Sequence, residues 1–251
     1  MKKMMLGLSF FALATSAFAS LESYYAPELV SQIQSGTSRN SDLKQKLSIA
    51  SKKNHHALSY REARSNLFGK LDLKKNNQGF YLRDVYCHEE ISGDQVGEMK
   101  IPGAEVINCE HTWPQSKFSS KDTNFKVADL HHLFVAGSKV NSVRGNYPFG
   151  NVNGQAPIKG CDISSIGKTG HGIAFSPPAE HRGDAARAMF YFATRYDMSI
   201  DEIQEKDLRQ WSKDDPVDEE EKSRNDMIEK IQGNRNPFVD FADAIDEIAN
   251  F

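Results

Sequence analysis

The chain has 251 residues, with 31 Lys and Arg against 34 Asp and Glu, which gives a formal net charge of −3. This balance argues against a protein that binds nucleic acid through a strongly basic overall charge. After the N-terminal segment, no stretch approaches the roughly 20 apolar residues that a transmembrane helix needs. The length suits one domain or two small ones and allows a substantial hydrophobic core.

The first 19 residues have the pattern of a secretory signal peptide. Met1-Lys2-Lys3 is positively charged, an apolar run follows to about Ser16, and Ala17-Phe18-Ala19 provides the small residues of a cleavage site. A mature chain beginning at Ser20 would be secreted or periplasmic and would carry a net charge of roughly −5. The alternative is a membrane anchor, but the apolar run is too short to span a bilayer.

The mature chain starts with a predicted helical region over about residues 26–74. Apolar residues recur there at helix-like intervals, and Ser59 followed by Glu62 predicts a capping box that opens a helix through Phe68. A strand is predicted over 79–86, after a turn-like Asn-Asn-Gln-Gly sequence. Two further strands are predicted over 105–109 and 130–134.

The C-terminal third predicts three helices, over 185–196, 201–211 and 218–231. In the first, apolar side chains share one face, which indicates core packing. Acidic first turns favour the other two helices, and Gly233 predicts the end of the last. Helices around a small central β region predict an α+β fold with a single domain over 20–251.

The three cysteines, Cys87, Cys109 and Cys161, predict one disulfide and one free thiol in an oxidising compartment. The sequence leaves all three pairings open. Zinc binding is disfavoured, because the cysteines are far apart and no Cys-x-x-Cys motif occurs.

Positive charge is concentrated between residues 111 and 170, whereas negative charge is concentrated between 197 and 221. The cations of the first region are Lys117, Lys121, Lys126, Lys139, Arg144, Lys159 and Lys168. A local basic surface can attract phosphate groups even when the net charge is negative. The alternative is that both regions are simply solvated faces.

A carboxylate next to a histidine gives the sequence its most specific chemical feature. Glu110 and His111 lie within Asn108–Ser116, and Asn141 follows about 30 residues later. Phosphodiester hydrolysis needs a base for the attacking water and a counter-charge for the phosphate. Glu110 and Asn141 offer the oxygen ligands that a hard divalent cation prefers, and His111 suits the role of general base.

Each of these residues also has a structural interpretation. A histidine in a β region is commonly a hydrogen-bonded structural residue, and we interpret at least one of His131 and His132 in this way. Asn141 alone would more commonly be a helix cap than a metal ligand. The combination of the three residues outweighs these separate interpretations.

Several long motifs resemble the endonuclease I family of secreted bacterial nucleases, which carry a ββα-metal (His-Me) finger. The resemblance spans about residues 80–240. Its motifs are Asn-Cys-Glu-His-Thr-Trp-Pro-Gln-Ser from Asn108, Asp-Leu-His-His-Leu-Phe from Asp129, Lys-Val-Asn-Ser-Val-Arg-Gly-Asn-Tyr-Pro-Phe-Gly from Lys139, His-Arg-Gly-Asp-Ala-Ala-Arg-Ala from His181 and Gln-Gly-Asn-Arg-Asn-Pro-Phe from Gln232.

The resemblance implies a finger over about 105–150 within the small central sheet, with His111 as general base. It also implies that Glu110 and Asn141 bind one divalent metal ion, for which we expect magnesium, with manganese and calcium as alternatives. The expected activity is sequence-nonspecific hydrolysis of DNA and RNA, which leaves 5′-phosphate and 3′-hydroxyl ends. We expect a monomer that contacts nucleic acid through its phosphates and does not bind membranes.

Two departures from the family pattern concern this site. Phe134–Gly137 replaces the usual proline and acid, and the short segment before Asp129 lacks an arginine that holds the phosphate in longer members. Arg144 is the substitute candidate for phosphate contact, and Lys139 is a second candidate. Either could instead be an ordinary surface cation.

Two other classes of function remain open from the sequence. One is a non-catalytic secreted protein that binds nucleic acid and retains the fold. The complete set of Glu110, His111 and Asn141 argues against this. The other is a secreted phosphatase or phosphodiesterase for small substrates, which would use the same chemistry.

Overall fold

The structure is a computed structural model that describes residues 21, 23–170 and 172–251. The predicted signal peptide, residues 1–19, lies outside the described residues. Within the described ranges, no helix is both long and apolar enough to cross a membrane. Helices and small antiparallel sheets make up the fold, which confirms the predicted α+β class.

The helices from Pro27 to the first strand are α1 (Pro27–Gln34), α2 (Asn40–Lys52) and α3 (Tyr60–Asn66). A π-helical turn over Leu67–Leu71 extends α3. The predicted capping box is confirmed, since Glu62 N donates to Ser59 Oγ at 3.2 Å and Ser59 N donates to Glu62 Oε2 at 2.8 Å. The helical prediction to residue 74 was too long, because Leu73–Asn76 pairs as a strand.

Strands among the described residues form three antiparallel sheets. They are β1 (Leu73–Asn76), β2 (Gly79–Arg83) and β3 (Glu90–Ser92) in the first sheet, β4 (Ile107–His111) and β5 (Leu133–Gly137) in the second, and β6 (Ser165–Thr169) and β7 (Gly172–Ser176) in the third. The sequence did not predict β3, β6 or β7, which are short and lack a clear apolar alternation.

Strand β2 ends at Arg83, three residues before the predicted end at Tyr86. The chain turns here because the Asp84 carboxylate accepts hydrogen bonds from the backbone N–H groups of Tyr86 and Cys87, at 3.0 and 2.9 Å. An aspartate that binds the backbone two residues ahead favours a turn over a continuing strand.

The second sheet also differs from its predicted bounds. The strand predicted over 105–109 is Ile107–His111, so Glu110 and His111 belong to the sheet and pair with Phe134 and Leu133. The strand predicted over 130–134 starts at Leu133. Residues 130–132 form a 3₁₀ turn instead, because the Asp129 side chain accepts a hydrogen bond from the backbone N–H of His131, and Gln232 Oε1 accepts one from that of Leu130.

Helix α5 (Ser138–Arg144) follows β5 without a loop and packs on both strands of the second sheet. The connection from β4 to β5 contains the short helix α4 (Thr123–Lys126). The order strand, strand, helix therefore brings the end of β4 next to α5. This proximity positions the candidate site.

The C-terminal helices are α6 (Arg182–Tyr196), α7 (Glu202–Asp214), α8 (Glu219–Gln232) and α9 (Pro237–Asp240). Asp201 and Asp218 cap α7 and α8 with their side chains. The predicted end of α8 is confirmed, since Gly233 has a φ of 90°. Helix α6 is buried along nearly its whole length and packs against α2 and α7.

Asp129 links the second sheet to the C-terminal helices. Its carboxylate accepts hydrogen bonds from Tyr191 Oη at 2.7 Å, Tyr196 Oη at 2.8 Å and Gln232 Nε2 at 2.7 Å. Burial alone would raise the pKa of Asp129, but neighbouring histidines and Gln232 outweigh burial and hold the pKa well below its usual range. The resulting stabilisation is complete above the carboxyl's unfolded pKa of about 3.9 and is lost as the pH falls below it.

The structure pairs Cys87 with Cys161 and leaves Cys109 as a buried free thiol. The disulfide joins the segment after β2 to the segment before β6, across 74 residues of chain. It therefore fastens the third sheet to the body of the protein at the side of the second sheet.

We predict that the Cys87→Ser/Cys161→Ser double variant loses roughly 2–5 kcal/mol of unfolding free energy, because the unfolded chain regains the freedom of a long loop. Urea unfolding with and without dithiothreitol measures this loss. The reductant should lower the midpoint for the wild type and leave the double variant unchanged. Equal midpoints for oxidised and reduced wild type would contradict the pairing.

We predict that Asp129→Ala lowers the unfolding free energy by about 3 kcal/mol or more, because buried donors lose their shared acceptor. Asp162→Ala, at an exposed aspartate, is the matched control and should stay within about 0.5 kcal/mol of wild type. Thermal and urea unfolding at pH 7 compare the two. Similar losses in both variants would show that the Asp129 network contributes little.

Candidate active site

Glu110, His111 and Asn141, the three residues singled out from the sequence, line one open groove. The first two lie at the end of β4, and Asn141 lies in the middle of α5. Tyr60, at the start of α3, also lines the groove, as does Gln115, which follows β4. The strand, strand, helix order thus assembles residues that are 30 positions apart in the chain.

His111 is the last residue of β4 and is only 6% exposed. Its Nε2 lies 3.1 Å from the backbone carbonyl of Val127, and its ring packs against His132 and Tyr60, with centroids 5.3 and 5.7 Å away. Burial, followed by His132, lowers the pKa of His111 to about 3, so the imidazole is neutral at pH 7. A neutral ring that donates from Nε2 keeps the lone pair of Nδ1 available as a base.

Glu110 is 2% exposed and faces a buried cation. Its Oε1 forms an ion pair with Arg144 Nη1 at 3.1 Å. The N–H group does not point at this oxygen closely enough for a hydrogen bond, so Oε1 has no hydrogen-bond partner among the described residues. A buried carboxylate oxygen without a hydrogen bond is costly. Glu110 is therefore incompletely satisfied by the described residues alone.

Arg144 lies at the site, but it is 1% exposed. Its guanidinium donates to the backbone carbonyls of Thr112, at 2.7 Å, and His111, at 3.2 Å, and its Cζ lies 4.5 Å from the ring centroid of Phe149. These contacts direct the charge towards the protein interior. The geometry therefore favours a structural role for Arg144 over the phosphate contact predicted from the sequence.

Asn141 is half-buried, and its side chain has no hydrogen-bond partner among the described residues. It cannot cap α5, because the helix starts three residues earlier, after Gly137. The cap interpretation is thereby excluded. Lys139, the second candidate for phosphate contact, is exposed on the same helix.

His131 and His132 hold the chain behind the site. His131 Nε2 lies 3.1 Å from the Asn234 carbonyl, and His132 Nε2 lies 2.7 Å from the Lys126 carbonyl. Burial lowers their pKa values to about 3 and about 4. Their interpretation as residues that lock the loop by hydrogen bonds is confirmed.

Sequence reasoning did not find Gln115 and the carbonyl of Val127. Gln115 Nε2 lies 3.1 Å from His111 Nδ1 and 3.3 Å from His111 Nε2. No pattern marks a backbone carbonyl as a partner before the fold is known. Gln115 does lie in the same motif as His111, but its contact depends on the 3₁₀ turn Gln115–Lys117.

The groove fits a hard divalent cation. One buried carboxylate lacks a full set of hydrogen bonds, and one amide nearby is unpartnered, which together offer two oxygen donors. The part of the chain that is described contains no cluster of three or more His, Cys, Asp or Glu side chains suited to a metal. A cation held by two oxygen donors would take its remaining ligands from water, as magnesium commonly does.

Comparison with known proteins relates the chain to three groups of nucleases. An extracellular ribonuclease of Bacillus subtilis (strain 168) is 32% identical over 216 residues, covering 77% of this chain and 69% of that protein. A periplasmic deoxyribonuclease of Aeromonas hydrophila is 33% identical over 127 residues, covering 48% of this chain and 51% of that protein. An Endonuclease-1 of Buchnera aphidicola subsp. Acyrthosiphon pisum (strain APS) is 32% identical over 157 residues, covering 54% of this chain and 60% of that protein.

The model of the family described as Endonuclease I matches residues 39–243. This range contains the whole second sheet, α5 and the groove. Because the match extends over most of the chain, the protein belongs to the Endonuclease I family.

Proposed function

We propose that the groove beside His111 hydrolyses phosphodiester bonds in DNA and RNA without sequence preference, leaving 5′-phosphate and 3′-hydroxyl ends. Family membership makes the protein a nuclease. Its relatives are named as ribonuclease and deoxyribonuclease, and as extracellular and periplasmic, which supports a broad substrate range outside the cytoplasm. The pattern of residues 1–19 supports the same location.

One observation carries the proposal: a neutral histidine, a carboxylate and an amide open into a single groove. Hydrolysis needs a base for water beside a site for positive charge. Both requirements are met within two adjacent residues of β4 and one residue of α5.

His111 would accept the proton of the attacking water at Nδ1. The carbonyl of Val127 accepts from Nε2 and therefore fixes the tautomer in which Nδ1 carries the lone pair. Proton transfer to a positioned base of this kind contributes about 10²–10⁴-fold to rate. The two walls of the ring's pocket, Tyr60 and His132, keep it from rotating away from the groove.

Glu110 and Asn141 would hold a divalent cation, for which magnesium is our first choice and manganese and calcium the alternatives. Bound there, the cation would stabilise negative charge on the phosphate and on the leaving oxygen. Arg144 would orient Glu110 through its ion pair and would fix the strand end through the carbonyls of His111 and Thr112.

The unit of β4, β5 and α5 would form the ββα-metal finger, over about residues 105–150. We further propose that residues 20–251 form one catalytic domain, which works as a monomer after removal of residues 1–19. Sequence-nonspecific action fits this site, because contacts to phosphates position a nucleic acid without distinguishing its bases.

We predict that His111→Ala lowers kcat on plasmid DNA and on RNA by about 10²–10⁴-fold, because water loses its base. The folded state and the DNA affinity should change little, as measured by circular dichroism and filter binding. His56→Ala, at an exposed histidine outside the groove lining, is the matched control and should cleave like wild type. If His111→Ala cleaves at the wild-type rate, another residue is the base.

We predict that EDTA abolishes cleavage and that added magnesium restores it. Asn141→Ala should raise the magnesium concentration needed for half-maximal rate by about 10-fold or more, because one oxygen ligand is lost. Manganese binding, followed by electron paramagnetic resonance, measures the same loss without turnover. Asn124→Ala, at an exposed asparagine of α4, serves as the control. Unchanged manganese binding in Asn141→Ala would remove Asn141 from the metal site.

A further inference from the structure

The groove lacks an accessible positive charge for the phosphate. Among the described residues that line it, Arg144 is the sole Lys or Arg, and its guanidinium is buried against Glu110 and backbone carbonyls. The other polar lining groups at its open edge are neutral, including Gln115, Ser116 and Asn146. A phosphate in this groove must therefore be held by neutral donors or by the metal alone.

Gln115 is the exposed donor closest to the base. It opens the 3₁₀ turn Gln115–Lys117, directly after Pro114. Its Nε2 lies 3.1 Å from Nδ1 of His111, the nitrogen that the Val127 carbonyl leaves without a proton. The same Gln115 Nε2 also lies 3.3 Å from His111 Nε2, so the amide lies over the face of the ring and leaves the lone-pair direction of Nδ1 open to water.

The turn that carries Gln115 is tied to the end of α5. Asn146 Nδ2 donates to Ser116 Oγ at 3.3 Å, so the backbone next to Gln115 is held against the segment that follows α5. The Gln115 side chain itself is exposed. The turn is therefore anchored through Ser116, and the Gln115 amide lies at the exposed edge of the groove.

Distances from general chemistry place the phosphate within reach of this donor. A base lies about 3 Å from the proton donor it serves, and a reacting water lies about 3–3.5 Å from the atom it attacks. The phosphorus then lies roughly 6 Å from Nδ1 of His111. The Gln115 amide starts 3.1 Å from Nδ1, and the side chain has three rotatable bonds with which to approach a phosphate oxygen.

We propose that Gln115 is the phosphate-binding residue of this enzyme. In the free protein its amide lies against the His111 ring, and with substrate bound it donates to a non-bridging oxygen of the scissile phosphate. The inference rests on the proposed function, because it takes His111 as the base. It assigns to a neutral amide the contact that an arginine makes in longer members of the family.

Lys117 is the competing residue. It lies two positions along the same turn and is exposed, and burial of its stem together with the charge of Arg144 lowers its pKa. It is not part of the groove lining, whereas Gln115 is. A lysine contact would make substrate binding more dependent on salt concentration, which an amide contact would not.

The first experiment compares steady-state cleavage by four variants of the mature protein with magnesium. Gln115→Met keeps the side-chain length without a donor and should lower kcat by about 10²-fold. The kcat of Gln115→Glu should fall further, because the new carboxylate repels the phosphate. Gln115→Arg should keep most of the activity and steepen the salt dependence of kcat/KM by about one logarithmic unit per decade of salt. Gln78→Met, at an exposed glutamine of the β1–β2 turn, should match wild type.

The second experiment separates phosphate contact from mere support of His111. Oligonucleotides carry a single phosphorothioate of defined configuration, and product lengths report cleavage at that linkage. Sulfur at the oxygen that Gln115 binds should slow cleavage by the wild type, and Gln115→Met should lose that effect. Any effect of sulfur in the other configuration should be the same in Gln115→Met as in the wild type. If Gln115 only steadies His111, Gln115→Met will slow cleavage of both configurations by the same factor. The wild-type preference between them will then persist, which overturns the inference.

Three further outcomes, from Lys117→Met and His111→Ala, also decide the question. A tenfold or larger loss in Lys117→Met, with Gln115→Met active, would transfer the contact to the lysine and overturn the inference. An active wild type and an inactive His111→Ala would show that the proposed function holds whatever the result at Gln115. An active His111→Ala would instead overturn the proposed function, independently of the Gln115 variants.

Discussion

The site depends on one buried guanidinium. Arg144 pairs with Glu110 and donates to the carbonyls of His111 and Thr112, so a single side chain of α5 fixes both the direction of the carboxylate and the course of the strand end. A charge taken out of water needs a complete set of partners, and its removal would leave Glu110 buried and unpaired. β4 ends at His111, and Arg144 binds the carbonyls on both sides of that end, so the acid and the base are held at the edge of the groove.

Asp129 provides a second buried charge, on the opposite side of the loop from β4 to β5. It binds two tyrosines of α6 and a glutamine of α8, and its own backbone starts the turn that leads into β5. His132 then connects this turn to α4 through the Lys126 carbonyl. The carbonyl of Val127, the next residue, is the one that fixes the tautomer of His111. The α-helical part of the fold therefore controls the protonation geometry of a residue in the sheet.

The sequence predicted the parts of this arrangement that follow from local chemistry. The capping box at Ser59, the glycine end of α8 and the side-chain roles of His131 and His132 were all confirmed. It could not predict strand bounds that depend on side chain to backbone bonds, such as the turn set by Asp84. It also could not foresee that Arg144 points inward, because a cation near the end of a helix has the same pattern whether it faces solvent or a buried carboxylate.

The proposed phosphate contact by a neutral side chain also concerns the protonation state of His111. Burial holds its pKa near 3, which keeps the ring neutral but makes it a weak base. A divalent cation on Glu110 would bring positive charge close to the ring, and the negative charge of a bound phosphodiester would offset it. An arginine at this place would bind the phosphate through its charge, whereas the amide of Gln115 would donate a hydrogen bond without adding charge. The groove thus combines a buried arginine, paired with Glu110, with an open edge whose polar side chains are neutral.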